Sequence, residues 1–109
     1  MTDRVTGLMG LCARAGKVLS GGQNVDTAIR HAAACLVVLD EGASPRTKKD
    51  VADACAYYGV SLRTLPAGML GTSIGKPGRM VAAITDQALA KRLQDMIPTT
   101  ENLGGACSE

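Results

Sequence analysis

The 109-residue chain has no phenylalanine and no tryptophan, and Tyr57 and Tyr58 are its only aromatic residues. Its core must therefore be built from Val, Leu, Ile, Met and Ala, and an alanine-rich core requires its elements to approach closely. Histidine occurs once, as His31 among alanines, and none of Cys12, Cys35, Cys55 and Cys107 forms a Cys-x-x-Cys pair. No zinc signature is present, and no metal or cofactor is expected. No spacing of His, Cys or carboxylates calls for a nucleophile or an acid/base pair, so the chain does not read as an enzyme. Long apolar runs are missing too. The longest, Ala32 to Leu39, is too short to span a bilayer, and the opening residues lead into no apolar stretch. A cytoplasmic location with reduced thiols is expected. Cys12, Cys35 and Cys55 then act as buried small hydrophobes, with Cys107 exposed.

Positive charge is absent from one part of the chain only. Residues 93–109 hold 3 acids and no base, whereas residues 1–92 hold all 12 Lys and Arg against 7 acids, an excess of +5. A basic body suits a nucleic-acid partner, although many soluble domains share such an excess. The length corresponds to one domain with one core. That domain is placed at residues 1–97, and the polar, glycine-containing segment 98–109 is expected to be a flexible acidic tail.

Hydrophobic periodicity gives the element order. Val5, Leu8, Met9, Leu11 and Cys12 recur at helical spacing, with Gly16 as a stop, which predicts a helix over residues 2–14. A short strand follows at Lys17 to Ser20, then a helix over 22–33 whose buried face is Val25, Ala28, Ile29 and Ala32. The continuous apolar run Cys35 to Leu39 suits a strand covered on both faces. Ser44 and Pro45 cap and open a third helix, which carries an apolar stripe to Tyr58 and stops at Gly59. At least one of Tyr57 and Tyr58 is expected to pack on the core. A strand from Val60 to Leu65, a short helix from Ala67 to Ile74 and a strand from Met80 to Ile84 come next. Asp86 then caps a last helix through Met96, before Pro98. This alternation predicts an α/β fold, a three-layer α/β/α sandwich with a four-stranded mixed sheet.

The segment Lys17-Val18-Leu19-Ser20-Gly21-Gly22-Gln23-Asn24 reads as strand, tight turn and helix start. Glycines there permit close backbone approach, and a helix N-terminus offers free N–H groups and a positive dipole end to an anion. Gln23 and Asn24 can each donate and accept on a base edge. A glycine pair alone is equally compatible with a plain structural turn.

Four stretches in order, Leu11 to Lys17, Gly21 to Asn24, Ala43 to Lys49 and Ile74-Gly75-Lys76, carry a further signal. Together they resemble the bacterial YlxQ-type branch of the ribosomal protein family that includes archaeal protein seven-Ae and eukaryotic protein thirty-e. The resemblance covers about residues 4–93. It implies the same sandwich fold and non-catalytic binding of kink-turns or similar loops in structured RNA. It also places RNA contacts at Ser20 to Thr27, at Asp40 to Arg46 and at Ile74 to Arg79. Kink-turn binders of this family carry an Asn-Glu pair with a Lys three residues after the Glu. This chain has Gln23, Asn24 and Thr27 instead, and its loop before the last strand, Lys76-Pro77-Gly78-Arg79, is short and basic rather than aliphatic.

The residues expected to contact RNA are Lys17, Gly21, Gly22, Gln23, Asn24, Thr27, Glu41, Arg46, Lys76 and Arg79. The expected partner is structured RNA, ribosomal or kink-turn, with ribosomal proteins as further neighbours and the chain itself a monomer. Two other readings stay open. One is a protein-interaction module of the ribosome or transcription machinery that has lost kink-turn affinity. The other is a small-molecule phosphate or nucleotide binder using the same glycine turn.

Overall fold

The computed structural model describes residues 2–97. Five helices and four strands alternate: α1 (Thr2–Arg14), β1 (Val18–Ser20), α2 (Gly22–Arg30), β2 (Leu36–Asp40), α3 (Pro45–Tyr58), β3 (Leu62–Leu65), α4 (Met69–Ser73), β4 (Val81–Ile84) and α5 (Gln87–Met96). The local signals account for most boundaries. Ser44 Oγ accepts from the Thr47 N–H at 3.2 Å, Pro45 opens α3, and Gly59 closes it in the left-handed region at φ 71°. Asp86 Oδ1 accepts from the Ala88 N–H at 3.0 Å at the start of α5.

The strands form one mixed sheet in the order β1-β4-β2-β3. β4 runs antiparallel to both neighbours, pairing Val18 with Ile84 on one side and Leu39 with Val81 on the other, and β2 runs parallel to β3. All five residues of β2 are buried, and so are all four of β4. Their side chains alternate between two cores, as the period of a strand requires. Leu36, Val38, Ala82 and Ile84 face Met9, Cys12, Leu70 and Leu93 from α1, α4 and α5. Val37, Leu39, Val81 and Ala83 face Val25, Ile29 and Cys55 from α2 and α3. This is the expected three-layer α/β/α sandwich. Residues 98–109, assigned to an acidic tail with Cys107, lie outside the described residues. No helix among the described residues is long and apolar enough to cross a membrane.

Three expectations are corrected. α2 ends at Arg30, not near residue 33: His31 caps it, and Ala32 turns the chain into the left-handed region at φ 58°. The N–H groups of Ala33 and Ala34 then both reach back to the Ala28 carbonyl. Neither tyrosine is buried. Tyr57 is 83% and Tyr58 43% exposed, and they meet edge to face, with ring centroids 4.9 Å apart. Both cores close without them because small residues on β4 let the helices approach. Cys35 is only half-buried, whereas Cys12 and Cys55 are buried.

Burial pushes the Cys55 thiol up to about 11, and burial reinforced by the Asp86 carboxylate raises that of Cys12. The Cys55 shift sets a direction for pH. In the unfolded chain the thiol ionises near 9.0, and in the folded protein only at about 11. The contribution of this thiol is therefore fully present below about pH 9 and is lost as pH rises between these values. Denaturant midpoints from pH 8 to 11 check this, and peptide-resolved alkylation at pH 8 is expected to modify Cys35 before Cys12 and Cys55. Truncation distinguishes core from surface. Leu93→Ala is expected to cost about 2–5 kcal/mol in urea unfolding, whereas Tyr57→Ala is expected to stay within about 0.5 kcal/mol of the parent.

Candidate nucleic-acid interface

Strand direction decides which loops meet. β1, β2 and β3 end, and β4 begins, at the same edge of the sheet. The 21–24 turn, the 41–44 turn and the 76–80 loop therefore lie side by side, and the N-termini of α2 and α3 open onto that edge.

The first turn is built on Gly21, whose φ of 97° and ψ of 144° fall in a region open essentially to glycine alone. Its N–H donates to the Val81 carbonyl at 3.0 Å, and its carbonyl accepts from the Val25 N–H at 3.0 Å. Among the described residues no side chain caps α2. The N–H groups of Gly22, Gln23 and Asn24, which have no carbonyl within the helix to reach, are left at its mouth. The Asn24 amide donates to the Ser20 carbonyl at 3.0 Å. This tether orients the side chain and keeps Oδ1 and one N–H available. Gln23 and Thr27 are exposed on one face, one helical turn apart.

Arg79 comes to the same turn from the other end of the chain, its guanidinium 3.0 Å from where a Cβ on Gly21 would be. Lys76 is exposed in the loop before it, and neither cation is in an ion pair among the described residues. That loop rests on Gly71, where a Cβ would lie 2.8 Å from the Lys76 carbonyl oxygen and 3.0 Å from the Gly78 nitrogen. Glu41 is exposed beside them, its carboxylate 3.6 Å from Lys48 Nζ. Arg46 stands on the first turn of α3, 91% exposed and 3.9 Å from Asp50. Such exposed pairs are worth about 0–1 kcal/mol and leave the cations free to exchange partners.

Nine of the ten sequence-derived positions thus gather on this edge. Lys17 does not. It sits at the other end of β1, about 13 Å away at the usual strand rise, where its carbonyl accepts from the Thr85 N–H at 2.9 Å. Three residues outside the ten expected contacts also belong to the edge. Lys48 turns toward Glu41 while Lys49 pairs along its own helix with Asp53 at 2.9 Å. Gly71 admits the 76–78 turn. Asp40 is fully buried beneath the turns, and its sequence signal was a carboxylate directly abutting a continuous apolar run.

Among the described residues no group of three or more His, Cys, Asp or Glu could hold a metal. A shallow cleft of about 280 Å³ lies between α2 and α3, lined by Val25, Ile29, Val51 and Ala54 with Asp26 and Asp50 at its rim.

The two glycines of the turn are expected to respond oppositely. Gly21→Ala strains the backbone and meets Arg79, so it should cost about 1–3 kcal/mol. Gly22→Ala, with nothing within 4 Å of its Cβ, should gain up to about 1 kcal/mol as a better helix former. Thermal or urea unfolding of both variants checks the contrast.

Comparison with known proteins bears on the fold and the family. A profile described as the Ribosomal protein L7Ae/L30e/S12e/Gadd45 family matches residues 3–94. The chain is 46% identical over 91 residues to the RNA-binding protein YlxQ of Bacillus subtilis (strain 168), covering 83% of this chain and 91% of that one. It is 36% identical over 96 residues to the RNA-binding protein YlxQ of Enterococcus faecium, covering 87% and 92%. Among solved structures, a protein of unknown function from Bacillus halodurans C superposes with a TM-score of 0.82 at 32% identity, over 85% of this chain and 95% of that one. A Giardia lamblia 15.5kD RNA binding protein superposes at 0.73 over 87% and 83%, and at 20% identity it speaks for the fold alone. These descriptions denote ribosomal and RNA-binding proteins, not enzymes. With the sandwich fold and the order of motifs along it, they establish that the chain belongs to the Ribosomal protein L7Ae/L30e/S12e/Gadd45 family, as a YlxQ-type bacterial member.

Proposed function

We propose that this protein binds structured RNA without catalysis, through the edge formed by the α2 N-terminus, the Glu41 turn and the Lys76–Arg79 loop. The observation that carries the reading is the meeting of the uncapped α2 N-terminus with Arg79 across Gly21. Backbone N–H groups and a guanidinium converge there, and both suit phosphate oxygens. Its relatives' description as RNA-binding proteins supports the same conclusion.

The division of labour follows from side-chain chemistry. Gly21 and Gly22 let a sugar-phosphate backbone come close to the helix start. Gln23 and the tethered Asn24 offer amide donors and acceptors to base edges, a suitable match for the exposed edges of non-canonical purine pairs. Thr27 extends that face with a hydroxyl. Lys76, Arg79 and Arg46 supply phosphate contacts, and Glu41 holds Lys48 toward the edge. The target in this reading is a kink-turn-like or ribosomal RNA, and the protein acts as a monomer in the cytoplasm, beside ribosomal proteins where the RNA is ribosomal. Without the family's carboxylate and ammonium on α2, affinity leans more on phosphates and is expected to be strongly salt-dependent.

The test is binding of a kink-turn RNA, a matched duplex and total ribosomal RNA over a salt series. Asn24→Ala is expected to weaken binding to the preferred RNA by about tenfold with little change in salt slope. Lys76→Glu should lower the slope of log K against log salt by about 1 or more on every RNA. Lack of binding to any of the three at low salt would sink the proposal in favour of a protein partner.

A further inference from the structure

The end of β2 carries a charge that makes no contact with solvent. Asp40 is fully buried, and it takes part in no ion pair among the described residues. A carboxylate so placed must be satisfied by hydrogen-bond donors. The donors here are backbone N–H groups from two separate segments. Gly42 donates to Oδ1 at 2.7 Å, Gly68 to Oδ1 and Oδ2 at 3.0 and 2.9 Å, and Leu70 to Oδ2 at 3.3 Å. The main chain of Asp40 adds two more links: its N–H donates to the Met80 carbonyl at 2.8 Å, and its carbonyl accepts from the Ala43 N–H at 2.9 Å.

One side chain thus holds the 41–43 turn, which presents Glu41 and leads to Arg46, against the start of α4. From α4 the contacts continue outward. Gly71 lies directly under the 76–78 turn, its carbonyl accepts from the Lys76 N–H at 2.8 Å, and Arg79 then reaches Gly21. Two cationic or polar loops of the edge are therefore spaced by one buried carboxylate. An Asn at this position would offer one acceptor oxygen and turn an NH₂ group toward N–H donors, so the neutral isostere cannot replace it.

We propose that Asp40 is a positioning residue of the RNA site: its buried carboxylate sets the spacing between the Glu41 turn and the Lys76–Arg79 loop, so that both engage one RNA at once. This inference rests on the RNA reading above. Asp40 touches no RNA itself, and its effect is read in the number of phosphates engaged, which a purely structural loss would not alter in the molecules that remain folded.

The experiment compares the wild type, Asp40→Asn, Gly42→Ala and Leu93→Ala by thermal melting and by binding to a kink-turn RNA and to total ribosomal RNA over a salt series. Gly42→Ala keeps the carboxylate but places a methyl 3.1 Å from Oδ1, so the inference stays open to test if Asp40→Asn does not fold. Leu93→Ala destabilises the core shared by α1, α4 and α5 while leaving the Asp40 carboxylate in place, and serves as the control. Asp40→Asn is expected to bind about tenfold more weakly with a salt slope lower by about 1, Gly42→Ala to shift both in the same direction by less, and Leu93→Ala to lower the melting temperature alone. Wild-type affinity and slope in the folded Asp40 and Gly42 variants would overturn the inference, as would a Leu93→Ala variant that shows the same losses. Failure of the wild type to bind either RNA would overturn the RNA reading and this inference with it.

Discussion

The seating of β4 between β1 and β2 is the constraint on which the rest of the molecule depends. The strand enters late in the chain and pairs antiparallel on both sides, with Ala82 and Ala83 facing opposite cores and fully buried. Alanines at those points leave room for helices to settle close on either face, so Met9, Leu36 and Leu93 on one side and Val25, Ile29 and Val37 on the other complete the packing. A core without phenylalanine or tryptophan closes on this account. The same pairing carries Arg79 and Met80, which precede β4, to the ends of β1 and β2, and so the candidate interface is assembled from distant parts of the chain.

Charge is distributed over that interface in a way that matches its proposed use. The four ion pairs among the described residues are all at least partly exposed, and three are i, i+4 pairs, one within α2 and two within α3. They add little to stability. Lys76 and Arg79 stand apart from them on a loop whose shape is set by glycine and backbone contacts beneath it. Cations held by the backbone of their loop, with no ion pair to a carboxylate among the described residues, keep their attraction for an incoming polyanion. The affinity this arrangement supports falls with salt, because screening acts on exposed charges first.

Much of the fold was legible in local chemistry. Ser44, Pro45 and Gly59 bracket α3 because a cap, a fixed φ and a left-handed glycine each act within a few residues, and the run from Leu36 to Leu39 marks a doubly covered strand through its composition. The end of α2 was not legible. Ala32 adopts a left-handed φ that alanine avoids in isolation, and the link from Cys35 N–H to the Ile84 carbonyl shows what holds the chain there. The tyrosines misled for a related reason: aromatic rings usually enter cores, but among the described residues these two stay outside both, Tyr57 largely and Tyr58 partly exposed at the end of α3.

The candidate site divides along the same line. Gly21, Gly22, Gln23 and Asn24 were readable because a strand, a glycine pair and a helix start are contiguous, and backbone N–H groups at a helix N-terminus need no partner elsewhere to be exposed. By sequence alone Lys17 looked as close to that turn as Asn24, yet a strand carries it about 13 Å away, while Arg79, more than fifty residues on, comes to contact. The buried role of Asp40 was equally out of reach, since its donors belong to Gly68 and Leu70 and exist only once α4 has docked. Sequence determined the elements, their caps and the chemistry available at each turn, because those depend on neighbours along the chain. Only tertiary structure decided which turns share an edge and which charge is buried beneath them, because strand order and the closure of two cores are properties of contacts between residues far apart in sequence.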